Sequence, residues 1–178
     1  MRLFVALVPP EKLRQSLEQQ GKRLRALCRS GRMVPWERIH LTLAFLGETD
    51  RRRAVERAMD RAAGAAFSLH IAGPGRFPGK RGDLWWMGVE ESPPLHALRR
   101  RLVRALKEEG VGMEGTEAFR PHITLGRDLR LRTEADLEGW AASCPTGTWR
   151  VGEMTLMESR RADGGLCYIP LCRRTLEK

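Results

Sequence analysis

Long apolar runs, paired cysteines and lysine are what this 178-residue chain has least of. No stretch approaches the roughly 20 apolar residues that span a bilayer, so a membrane helix is excluded. The opening MRLFVALVPPEKL looks a little like a secretion signal. Its apolar run is only Leu3 to Val8, however, and two prolines and a charged helix follow, so it is read as a first strand. The cysteines, Cys28, Cys144, Cys167 and Cys172, form no CxxC pair. That argues for reduced thiols in a cytoplasmic protein and against a disulfide framework or a zinc cluster. HxE, HxH and HExxH spacings are also missing, so a metal hydrolase has no motif to stand on, and no metal or cofactor is expected. Lysine occurs at five positions, so arginine carries nearly all of a formal net charge of +10. The planar guanidinium fork suits phosphate. A basic domain of this size favours a polyanion such as nucleic acid over merely solvated helix faces.

Hydrophobic residues make up 42% and charged ones 30%, the balance of a soluble globular domain able to bury its own core. One domain over residues 1–178 is expected, since no linker divides the chain. Strands are expected at 2–8, 39–46, 67–71, 84–89, 118–125 (interrupted by Pro121), 148–158 and 166–171. Helices are expected near 10–28, 51–64 (capped by Thr49 or Asp50), 94–109 and 131–140. The segments 31–35 and AGPGRFPGKRGD are expected to be loops or an irregular hairpin, and Asp163-Gly164-Gly165 a tight turn. The element order falls into two similar halves.

Each half contains one His-x-Thr-Leu: HLTLAFLG from His40 and HITLGR from His122. On a strand, side chains alternate between faces. His40, Thr42 and Ala44 then share one face, with Ile39, Leu41, Leu43 and Phe45 on the other. His122 and Thr124 likewise stand opposite Ile123 and Leu125. Two imidazoles with pKa values near neutrality suit an in-line phosphoryl transfer, one taking a proton and the other giving one. A threonine two residues along each strand can donate to a nonbridging phosphate oxygen. His70 and His96 lack such company and are expected to be structural.

The pieces RLFVALVPP, HLTLAFLGE, FRPHITLGR and MTLMES with Tyr168 resemble the 2H phosphoesterases. Within them the chain is similar to the bacterial and archaeal RNA 2′,3′-cyclic phosphodiesterases, also called 2′-5′ RNA ligases. The resemblance implies an α+β, two-lobed fold. Each lobe would be an antiparallel sheet flanked by helices, related by a pseudo-two-fold, with the active site in the cleft between them. It implies hydrolysis of RNA 2′,3′-cyclic phosphate ends to 2′-phosphomonoesters by a monomer, with 2′-5′ ligation as a minor reverse activity. The partner would be RNA with such an end, tRNA fragments included, and no membrane. His40 would be the proton donor and His122 the proton acceptor, although the two stretches are so alike that either could take either role. Thr42 and Thr124 would bind phosphate. Arg127, and more weakly Arg120 and Phe4, would touch substrate. Phe4 fits the core as well as a base stack, and simple alternation turns Arg127 away unless Gly126 breaks the strand. Trp36, Trp85 and Trp86 offer further stacking surfaces, the last two on opposite faces. The rival readings are a nucleotide- or RNA-binding module without turnover, and a phosphodiesterase for another small cyclic phosphate.

Overall fold

A computed structural model describes residues 1–115, 118–133, 137–162 and 164–177. Its elements, in chain order, are β1 (Arg2–Leu7), α1 (Glu11–Ala26), β2 (Cys28–Met33), a 3-10 turn (Trp36–Arg38), β3 (Leu41–Glu48), α2 (Arg52–Ala62), β4 (Phe67–Phe77) and β5 (Asp83–Val89). These are followed by α3 (Pro93–Glu108), β6 (His122–Leu131), α4 (Leu137–Ala142), β7 (Gly147–Val151), β8 (Glu153–Ala162) and β9 (Gly165–Thr175). The strands form one curled sheet in the order β7-β4-β5-β6-β3-β1-β8-β9, with β2 added on β6. Every ladder is antiparallel.

The unbroken apolar run Leu3 to Leu7 is buried throughout, as expected of a strand flanked by β3 and β8 and covered on both faces. In α3, Leu95, Leu98, Leu102 and Leu106 recur at helical spacing and are fully buried. The Ser92 hydroxyl accepts from the Leu95 N–H at the helix start, and Gly110, at φ +67°, ends the turn that closes it.

The sheet divides at its middle. β3-β1-β8-β9 form one half and β6-β5-β4-β7 the other, joined by the single pair Leu41↔Ile123 among the described residues. Each half sets its His-x-Thr strand beside a partner reached through a helix, β1–α1–β3 and β5–α3–β6. Helix α1 nevertheless packs on β2, β6 and α4 of the second half, and α3 packs on α2 while touching β3 and β4. All cysteines are free thiols.

Several local expectations are corrected. Residues 31–33 are not a loop but the end of β2, a polar edge strand on β6. Gly73-Pro74-Gly75 belongs to β4, which reaches Phe77 after a register shift between Ile71 and Pro74. Gly75 is small because the Trp86 ring lies where a Cβ would stand, 2.2 Å from it. The sixth strand begins at His122, after Pro121, rather than at Ala118. The expected strand 148–158 is two strands meeting at Gly152. Arg51, whose side chain makes no capping bond, occupies the N-cap of α2; Thr49 Oγ1 accepts from the Arg51 N–H instead. The helix expected over 131–140 is shifted: Leu131 ends β6 and α4 runs from Leu137 to Ala142, with residues 134–136 outside the described residues, as is Asp163 of the expected turn.

Candidate active site

The pair Leu41↔Ile123 lies at the centre of both motifs. Continued by one residue each way, this register sets His40 opposite Thr124 and Thr42 opposite His122. The histidines become diagonal neighbours on one face, about 7–8 Å apart at the backbone. Leu41 and Ile123, both 0% exposed, point the other way into the core.

The two imidazoles are held alike. His40 Nδ1 donates to the Arg38 carbonyl at 2.6 Å, and His122 Nδ1 donates to the Arg120 carbonyl at 2.7 Å. A carbonyl can only accept, so Nδ1 carries a proton and the neutral ring presents Nε2 as its acceptor. At His40, Nε2 receives the Thr42 hydroxyl at 3.0 Å. His122 Nε2 has no hydrogen-bond partner among the described residues. Each ring is flanked by two aromatics: His40 by Phe4 (5.0 Å) and Tyr168 (5.3 Å), His122 by Phe77 (5.1 Å) and Trp86 (6.1 Å). The motif is therefore longer than His-x-Thr-Leu. An arginine precedes each histidine by two residues, Arg38 and Arg120, and that repeat could have been found in the sequence.

Burial pushes the His40 pKa down to about 4, and the nearby Arg127 and His122 add to the fall against the upward pull of the Arg38 carbonyl. His122, the more open ring, is lowered for the same first reason, with Arg127 contributing. Both shifts favour the neutral imidazole near pH 7.

A bulge explains where the next side chains go. On β3, Ala6 pairs with Thr42 and Val5 with Ala44, so Leu43 is the extra residue. On β6, Trp86 pairs with Thr124 and Trp85 with Gly126, so Leu125 is the extra residue. Each insertion reverses the alternation beyond it. Arg127 is thereby returned to the cleft face by the bulge at Leu125, not by a break at Gly126. The same device corrects the expectation for β3: Ala44 is buried, and Phe45, expected in the core, is 44% exposed.

His40, Thr124, Arg38, Arg127 and Tyr168 line a cleft of about 290 Å³. The Arg38 Nε is buried there without a hydrogen-bond partner among the described residues. His122 and Arg120 open onto a neighbouring hollow with Phe77. Phe4 is 2% exposed, so it supports the His40 ring from below and offers no open face to a base. Trp85 is in the core against Trp140, whereas Trp86 stands by His122, as opposite faces require. Trp36 lies under Arg14. His70 binds Thr148 and His96 faces Glu91, neither in this cleft. No group of three potential metal-ligating side chains occurs among the described residues, and no described helix is long and apolar enough to cross a membrane.

The chain matches the model of the 2′-5′ RNA ligase superfamily over residues 9–163. It is similar to an RNA 2′,3′-cyclic phosphodiesterase of Archaeoglobus fulgidus, 28% identical over 94% of this chain and 96% of that one. To the Escherichia coli protein of the same name it is 28% identical over 98% and 96% of the two chains. It is similar in structure to E. coli LigT complexed with 3′-AMP, with a TM-score of 0.78 and 29% identity over 99% of this chain and 98% of that one. A Thermus thermophilus structure gives a TM-score of 0.76 at 28% identity over the same shares.

Proposed function

Since this chain belongs to the 2′-5′ RNA ligase superfamily, we propose that it hydrolyses the 2′,3′-cyclic phosphate at an RNA end to a 2′-phosphomonoester. The observation that carries this reading is the pair Leu41↔Ile123, which joins the strands of two carbonyl-anchored histidines, His40 beside Thr124 in a small basic cleft and His122 in the hollow next to it. The named activity of the relatives supports the substrate class.

Water attacks phosphorus as its proton passes to His122 Nε2. The P–O3′ bond breaks, and His40 Nε2 delivers a proton to the departing O3′. The 2′-phosphate and a free 3′-hydroxyl remain, and proton exchange with solvent resets the pair. Each of these general acid–base contributions is worth about 10²–10⁴-fold. Thr42 and Thr124 donate to the nonbridging oxygens, where negative charge accumulates. Arg127 supplies a cation to the same oxygens. In this scheme the low His40 pKa has a consequence: His40 acquires its proton only with the phosphate, whose negative charge offsets Arg127. Replacing water by a 5′-hydroxyl in the same steps, with O5′–P forming as P–O3′ breaks, gives 2′-5′ ligation, which hydrolysis outweighs in water.

The test is a short RNA ending in a 2′,3′-cyclic phosphate, incubated with wild type, His40→Ala and His122→Ala in the presence of EDTA. A 2′-phosphate product from wild type, nearly lost in both variants, is expected. A folded wild type that turns over no cyclic end would overturn the reading.

A further inference from the structure

A second hollow of about 500 Å³ adjoins the histidine cleft, and Arg127, Arg161, Leu166 and Tyr168 form the wall common to both. Its composition is unlike the rest of the surface. The large apolar side chains left exposed among the described residues are Met1, Phe45 and Leu166, and Phe45 and Leu166 both line it. Phe45 is there because the Leu43 bulge turned it out of the core, although its neighbours Ala44 and Leu46 are buried. The cations divide into engaged and available ones. Arg2 is paired with Glu114, and Glu48, the carboxylate of this hollow, is paired with the N-terminal amine. Arg161 and Arg127, in the shared wall, have no ion-pair partner among the described residues. An exposed aromatic beside an unpaired arginine is the arrangement that holds a base and its phosphate in a single strand.

We propose that this hollow binds the penultimate nucleotide of the RNA end, its base against Phe45 and the phosphodiester joining it to the terminal nucleotide against Arg161. The inference rests on the function proposed above and extends it: the preferred substrate is an oligonucleotide end, not a free nucleoside cyclic phosphate. The first cleft, with His40 and Thr124, takes the terminal nucleotide. A strand leaving it past the shared wall meets Arg161 before it reaches Phe45.

Two substrates separate the ideas: adenosine 2′,3′-cyclic phosphate, and ApA ending in a 2′,3′-cyclic phosphate. Wild type is expected to favour the dinucleotide in kcat/KM by about tenfold or more, as one stacked base implies. Phe45→Ser is expected to remove most of that preference while hydrolysing the mononucleotide within about twofold of wild type, the base stack being absent there, and Arg161→Gln, in the wall of both hollows, is expected to lose more on the dinucleotide than on the mononucleotide. The unchanged mononucleotide rate of Phe45→Ser shows that this variant folds. Equal turnover of both substrates by wild type, or equal losses on both in the variants, overturns the subsite and leaves the proposed activity standing. Failure of wild type on both substrates overturns the activity and the subsite together.

Discussion

Leu41 and Ile123 face each other across antiparallel strands and form the sole described ladder pair between β3 and β6. Both are fully buried, and each sits between a histidine and a threonine that face the cleft. The spacing of the reacting groups is thus set by packing on the far side of the sheet. Ile123→Ala is expected to cost about 2–5 kcal/mol in urea unfolding, because the cavity opens in a closed core. It is also expected to lower kcat by about 10–100-fold with a smaller change in KM, because the two motifs lose their mutual register. A variant with the stability loss but full kcat would show that the seam does not position the histidines.

His40 should titrate far below the ordinary range in the free protein, with a midpoint of about 4. Saturating inorganic phosphate should raise it, since an anion in the cleft favours the imidazolium. The histidine Cε1–H resonances followed by NMR across pH 3–8 measure both. A midpoint that phosphate leaves unmoved would disconnect proton uptake from anion binding.

Arg127 lowers both histidines by its charge. Arg127→Gln is therefore expected to raise both midpoints. It should also increase KM for a cyclic-phosphate RNA by about tenfold, the scale of one lost charge-assisted contact. Raised midpoints with an unchanged KM would confine Arg127 to tuning the histidines.

The same depression links the cleft to stability. The folded His40 pKa lies below its unfolded value near 6.5, so the unfolded chain binds the extra proton first. The stability associated with a neutral His40 is complete above about pH 6.5 and is lost as pH falls towards 4. For this half-buried ring the loss should be about 1–3 kcal/mol over that interval. His40→Gln should lose correspondingly less than wild type in denaturant melts at pH 7 and pH 4.5. Parallel losses in the two proteins would remove His40 as the source.

The histidines and threonines were legible in the sequence because each motif carries its own alternation, a local property. What joins the motifs was not, since Leu41 and Ile123 are ordinary apolar residues 82 positions apart. The bulges were also hidden: Leu43 and Leu125 become extra residues only because of what β1 and β5 place opposite them. Phe45 was consequently assigned to the wrong face, and the position of Arg127 could not be reconciled with alternation. β2 escaped notice because CRSGRM has no apolar alternation; it holds its place by pairing with β6. Gly73-Pro74-Gly75 carries the signals of a turn, but its glycine makes room for the Trp86 ring inside a strand.

Helix α1 follows β1 and packs on β6, and the chain adds β2 to β6 before it returns to form β3. Its Gln20 carbonyl accepts from the Trp140 indole N–H, and Gly21 lets the backbone approach Met33 and Leu125. β1 and β3 belong to one half of the sheet, while α1 and β2, which lie between them in the chain, complete the other. Neither half is therefore an autonomous folding unit, despite the repeated motif. Severing the chain between α2 and β4 would yield one fragment with a helix lacking its floor and another with a floor lacking its cover. The two pieces would have to find each other to fold, and the intact protein should melt in a single cooperative step with α1 among its last protected amides.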